Sequence, residues 1–146
     1  MTSVGHLVRR FRGSLSRREP VPTDVEWVRT SLQQGEWRLW SNMAVQDRRH
    51  SIEVAQRFVA LRPEATPSEL AGALLHDVGK QVADLGTFSR VLATVVGART
   101  ERFRQYHDHE ALGAAMLVAA GSDPATVDLV QGRGSAAVDL RAADDV

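Results

Sequence analysis

The 146 residues contain no cysteine, 43% apolar side chains, and 18 basic residues balanced by 18 acidic ones. A chain of this length makes one ordinary domain and buries enough apolar surface to stand without covalent staples. The lack of thiols excludes a disulfide scaffold, thiolate zinc sites and a cysteine nucleophile, and it fits a reducing cytoplasm, the expected location. The balanced charge gives no global reason to expect nucleic acid as a partner. The longest run free of charge and strong polarity is Ala111 to Gly121, about half of a membrane span.

Residues 1–22 read as a basic arm ahead of a single domain over 23–146. Arg9, Arg10, Arg12, Arg17 and Arg18 are interleaved with Val4, Leu7, Val8, Phe11 and Leu15 at helical spacing, and Glu19-Pro20-Val21-Pro22 closes the stretch. Such an arm is expected to dock on its own domain; contact of residues 1–18 with a membrane surface is the less favoured alternative. No apolar stretch of signal-peptide length follows these arginines. Thr23-Asp24-Val25-Glu26 has the form of a capping box, with Trp27, Val28 and Leu32 as apolar positions and Gly35 as a stop. Trp37 and Trp40, three apart, predict a short second helix packed on the core.

A third helix is predicted over Val45–Leu61, burying Val45, Ile52, Ala55, Phe58, Val59 and the stem of Gln56, with Arg62-Pro63 ending it. Thr66-Pro67-Ser68-Glu69 combines a capping hydroxyl, proline at the first helical position and glutamate at the third. The helix it opens buries Leu70, Ala71, Ala73 and Leu74 and is expected to run until Gly79 supplies a left-handed stop. Further helices are predicted over 88–96, 108–120, 124–131 and 136–144, with Gly121 ending the second of these and Asp123-Pro124 opening the third. Nothing alternates with period 2 between turn dipeptides, so the fold class is all-α, a compact multi-helix bundle.

Asp77 resists a reading as packing alone. It follows Leu74 and Leu70 by three and seven residues, on the apolar stripe of its helix and near the negative pole of the helix dipole. A carboxylate there meets both desolvation and an unfavourable dipole unless a cation compensates. A divalent metal would do so, with His76 supplying a nitrogen, Asp77 an oxygen, and His50 approaching from the neighbouring helix. A further carboxylate from the C-terminal helix would complete a mixed nitrogen and oxygen set suited to Mn, Fe, Co, Ni, Zn or Mg. A lone His-Asp pair at a helix end is more often a solvated cap.

His50, the pair His76-Asp77 within Ala73-Leu74-Leu75-His76-Asp77-Val78-Gly79-Lys80, and an aspartate in Leu140-Arg141-Ala142-Ala143-Asp144-Asp145 resemble the H…HD…D signature of the HD-domain superfamily. The resemblance covers residues 42–146. It implies a helical HD-like bundle, one divalent metal ion, and His50, His76, Asp77 and Asp144 as its ligands. Asp144 is preferred to Asp145 for its Ala-Asp context, with Asp139 a weaker rival. The implied activity is metal-dependent hydrolysis of a nucleotide or small phosphoester through a metal-activated water. The alternative is a non-catalytic HD-like module that binds a nucleotide or a protein partner.

His109, in Tyr106-His107-Asp108-His109-Glu110-Ala111-Leu112-Gly113-Ala114, resembles a further family histidine, for which an acid-base or pocket role stands level with simple capping of its helix beside Asp108. Gln131-Gly132-Arg133-Gly134 holds no histidine where two-metal members carry one, which favours a single ion. Asp77 is expected to orient or deprotonate the water as well as to ligate. Lys80, the chain's one lysine, lies one turn after His76 and is placed to meet a phosphate; Arg49 and Arg133 are further phosphate candidates. Lys80 would equally offset the helix dipole, and Arg49 would equally sit in solvent. Glu53 is a candidate partner for a ring nitrogen of His50, or simply an exposed neighbour three residues on. The sequence ends two residues after Asp144, which predicts a last turn prone to fraying.

Overall fold

The structure, a computed structural model, describes residues 18–80 and 109–146. Residues 1–17 of the expected arm and the helix predicted over 88–96 lie outside the described residues. Among the described residues there are seven α-helices and no strand: α1 (Pro22–Ser31), α2 (Gln34–Ser41), α3 (Val45–Leu61), α4 (Pro67–Leu74), α5 (His109–Ala119), α6 (Pro124–Val130) and α7 (Ala136–Asp144). The chain is all-α. No helix among the described residues is long and apolar enough to cross a membrane.

The long α3 packs on both α4 and α7; α4 in turn rests on α6 and α1, and α6 meets α5 and α7. The core is built from Trp40, Phe58, Leu74, Leu75, Met116, Leu117 and Leu129, all within a few per cent of full burial. Each large apolar side chain removed from water contributes about 1.5–3 kcal/mol. Trp40 sits deepest in its region because its one polar atom is satisfied: Nε1 donates to Ser51 Oγ at 2.9 Å, and that hydroxyl donates to the Arg48 carbonyl at 2.7 Å. Trp37 stacks on Trp40 with ring centroids 5.4 Å apart, so both tryptophans do the packing expected of them.

Helix starts and stops follow local chemistry in two places and depart from it in three. The Thr66 capping box forms as its residues dictate: Thr66 Oγ1 accepts from the Glu69 N–H at 3.1 Å, and Glu69 Oε1 accepts from the Thr66 N–H at 2.9 Å. Gly121 adopts φ 83° after α5, and the Ser122 N–H reaches back to the Leu117 carbonyl at 3.0 Å, the six-to-one bond of a Schellman stop. Thr23, by contrast, does not cap α1. Pro22 takes the first helical position with Val21 before it, and no side chain caps that end. The fixed φ of proline settles where the helix begins, one residue ahead of the hydroxyl.

Gly35 is not a stop. α1 ends at Ser31 with Leu32 extended, and Gly35 lies inside α2, where a β-carbon would collide with the Ala120 carbonyl oxygen. Its lack of a side chain lets α2 close on the end of α5. Gly79 is not a left-handed stop either, since the glycines at positive φ are Gly121, Gly132 and Gly134 among the described residues. α4 ends at Leu74, four residues short of the expected extent. The chain then tightens, with three-residue bonds from Val78 N–H to Leu75 O and from Lys80 N–H to Asp77 O, both 3.0 Å. On α3 the buried face is Ser51, Ile52, Val54, Ala55 and Phe58; Gln56 is exposed, and Val45 and Val59 are half-buried.

Candidate functional site

Three elements converge. The middle of α3 carries His50, the tight turn after α4 carries His76, Asp77 and Lys80, and the last residue of α7 is Asp144. Because α3 packs on both α4 and α7, residues 94 positions apart meet: His50 Nε2 lies 2.9 Å from Asp144 Oδ1. His76 Nε2 lies 3.3 Å from Asp77 Oδ2 and 3.5 Å from Asp144 Oδ1, and His50 Nε2 lies 4.0 Å from Asp77 Oδ2. The adjacency of His76 and Asp77 comes from the tightened backbone past Leu74, not from a regular helix.

Each nitrogen has a defined role. His76 Nδ1 is 2.8 Å from the Ala73 carbonyl, an acceptor only, so Nδ1 carries the hydrogen and Nε2 faces the two carboxylates. That Nε2 is buried and has no hydrogen-bond partner. A bare lone pair aimed at two carboxylates is repulsive, and a cation there, either a proton on Nε2 or a metal ion that displaces it, removes the repulsion. With bonds of about 2.1 Å, donors around one ion stand about 3.0 Å apart at octahedral angles and about 3.4 Å at tetrahedral ones. The His50–Asp144 distance of 2.9 Å and the His76–Asp77 and His76–Asp144 distances of 3.3 and 3.5 Å fall around those values, and His50, His76 and Asp144 form a group able to hold an ion, with Asp77 beside it, 4.0 Å from His50. The residues present therefore fit a divalent metal.

Without an ion the cluster neutralises itself with protons and lysine. Burial pushes the His76 pKa down, but the carboxylates of Asp144 and Asp77 outweigh it and carry it up to about 10. Burial raises Asp77, yet His76 and then Lys80, whose Nζ is 2.9 Å from Oδ2, hold its carboxyl well below the usual range. His50 and then His76 hold Asp144 lower still. The consequence for the metal-free protein is a bounded pH window. His76 is raised, so its contribution to stability is complete below its unfolded pKa near 6.5 and is gone once pH has risen through about 10. Asp77 and Asp144 are lowered, so theirs is complete above about 3.9 and is lost as pH falls further. Urea midpoints of the metal-free protein are expected to drop between pH 7 and 10, and to stay flat there in His76→Ala.

The structure gathers His50, His76, Asp77, Lys80 and Asp144. Arg49 Nη1 donates to the Arg18 carbonyl at 3.3 Å. Arg133 is exposed on the α6–α7 loop between Gly132 at φ 76° and Gly134 at φ 88°, and among the described residues no contact joins it to the cluster. Glu53 is exposed; the partner of His50 Nε2 is Asp144 instead. His109 opens α5, and the role expected of its side chain lies outside the described residues. Asp139, the weaker rival to Asp144, accepts from Arg62 Nη1 at 3.2 Å, away from the histidines.

Two arginines of α3 and its end escaped the sequence reading. Arg62 donates to Glu69 Oε2 at 3.1 Å, Asp139 Oδ2 at 3.2 Å and Ser135 Oγ at 3.2 Å, gripping the start of α7. Arg57 donates to the Ala143 carbonyl at 2.7 Å, gripping its end. The available signal for Arg57 was its place seven residues after His50, two turns along one face. No family model matches the chain, and no match was found among curated proteins or solved structures.

Proposed function

We propose that the chain is a small HD-like, metal-dependent phosphohydrolase that acts on a nucleotide or small phosphoester. The observation that carries this reading is the buried, unpartnered Nε2 of His76, held by the Ala73 carbonyl so as to face two carboxylates and a second histidine. His50, His76, Asp77 and Asp144 would hold one divalent ion. When bound, such an ion lowers the pKa of its water toward neutrality and polarises a phosphoryl oxygen. Asp77 is the residue to orient and deprotonate that water, because its carboxylate lies between His76 and Lys80. Lys80, 47% exposed, is the residue to meet phosphate. Its ammonium is free to leave Asp77 once an ion takes over the neutralisation of that carboxylate.

A second reading rests on the same geometry. The His50–Asp144 hydrogen bond, the Lys80–Asp77 pair and a proton on His76 already balance the cluster. That arrangement suits a module that binds a nucleotide or partner without turnover. Hydrolysis of a phosphoester panel with Mn, Fe, Co, Ni, Zn or Mg separates the two. The hydrolase reading expects turnover that needs the metal and falls by more than about a hundredfold in Asp77→Asn. A protein that binds metal but turns over no phosphoester would instead support the binding module.

A further inference from the structure

Asp144 reaches the two histidines from the last position of α7, where a helix is weakest. The last four carbonyls of a helix have no partner within it, and an end without partners frays. Ala143, one residue before the aspartate, is fully buried, and its carbonyl accepts from Arg57 Nε at 2.7 Å across 86 residues of sequence. The guanidinium also places positive charge at the negative pole of α7. Arg57 stands seven residues after His50 on α3, so one face of one helix carries both a candidate ligand and the group that fixes the backbone beside another.

We propose that Arg57 is a positioning residue: through the Ala143 carbonyl it holds the last turn of α7 wound, and thereby sets the Asp144 carboxylate against His50 and His76. Its effect on metal affinity rests on the reading of the cluster as a metal centre; its effect on the α7 terminus does not. Arg62 holds the opposite end of α7 through Ser135 and Asp139 and leaves the Asp144 turn to Arg57. A side chain that only supported the fold would act on all the candidate ligands alike. Arg57 acts through one of them.

The test combines Zn affinity with amide exchange of residues 141–146, measured on the full chain. Arg57→Ala is expected to weaken Zn binding about tenfold and to speed exchange in that segment selectively. Arg57→Lys, which keeps a donor, is expected to recover part of both effects. In an Asp144→Asn background, Arg57→Ala is expected to leave Zn affinity unchanged. An Arg57→Ala loss of less than twofold, or an equal loss in both backgrounds, would overturn the proposal. If the unaltered protein binds no Zn, the metal reading fails by itself and exchange decides: faster exchange confined to 141–146 supports the positioning role, and unchanged exchange overturns it. Should Arg57→Ala not fold, Arg57→Gln and Arg57→Lys give the same comparison.

Discussion

Titration of the metal-free protein with Zn or Mn at pH 8 is expected to release about one proton per bound ion, with affinity rising about tenfold per pH unit between pH 7 and 9. The proton comes from His76. Its Nδ1 is committed to Ala73, and its Nε2 is held protonated by Asp144 and Asp77 with a pKa near 10. A metal must displace that proton to reach the lone pair. An ordinary histidine, with a pKa near 6.5, would already be neutral at pH 8 and would release almost none. Calorimetry in two buffers of different ionisation enthalpy counts the proton directly. His76→Ala is expected to remove the release and to weaken binding by more than about a hundredfold, since even groups that only orient a ligand contribute 10–100-fold. Zn binding of full affinity without proton release would show that the carboxylates do not hold His76 protonated at pH 8, and full affinity in His76→Ala would show that His76 is not a ligand.

Gly35→Ala is expected to have the largest effect on stability. The added β-carbon would collide with the Ala120 carbonyl oxygen and lie 3.2 Å from the Ala120 carbonyl carbon and β-carbon. The neighbour is backbone, so it cannot turn aside. The same contact zone holds buried Glu36, whose Oε2 accepts from Ser122 Oγ at 2.7 Å and whose Oε1 accepts from the Gln33 N–H at 2.9 Å. Separating α2 from the end of α5 would break both the packing and this carboxylate's partners. Overpacking of this kind costs about 3 kcal/mol, roughly 10 °C in Tm for a domain of this size. Gly121→Ala is the matched comparison, because a β-carbon there meets open space and only the positive φ opposes it; about 1–2 kcal/mol is expected. Equal losses in the two variants would mean that α2 and α5 do not meet as described.

These two glycines mark the boundary of what the sequence made legible. Thr66, Pro67 and Glu69 act within one turn, so their pattern dictated the start of α4, and α3 likewise runs over Val45–Leu61 as its pattern predicts. Gly35 was ambiguous because glycine serves both to end a helix and to admit a neighbour, and only the packing of α2 on Ala120 decides between them. Gly79 was misread for a related reason: α4 had already unwound at Leu75, into the turn that sets His76 against Asp77. That His50 and a C-terminal carboxylate would join His76 and Asp77 followed from the stranded charge of Asp77, but the choice of Asp144 came only through a family resemblance, since spacing cannot reveal a contact across 94 residues. Arg57 carried only the signal of its place on the His50 face of α3, and its partner is a backbone carbonyl that any residue type supplies.

The most direct test of the account is elemental analysis of the protein purified without added metal, alongside His76→Ala and Asp77→Ala. The predicted result is about one equivalent of a divalent metal in the unaltered chain, lost in both variants. No bound metal in any of the three, even after soaking with Mn or Fe, would contradict the metal centre and leave a helical bundle whose histidines and carboxylates only neutralise one another.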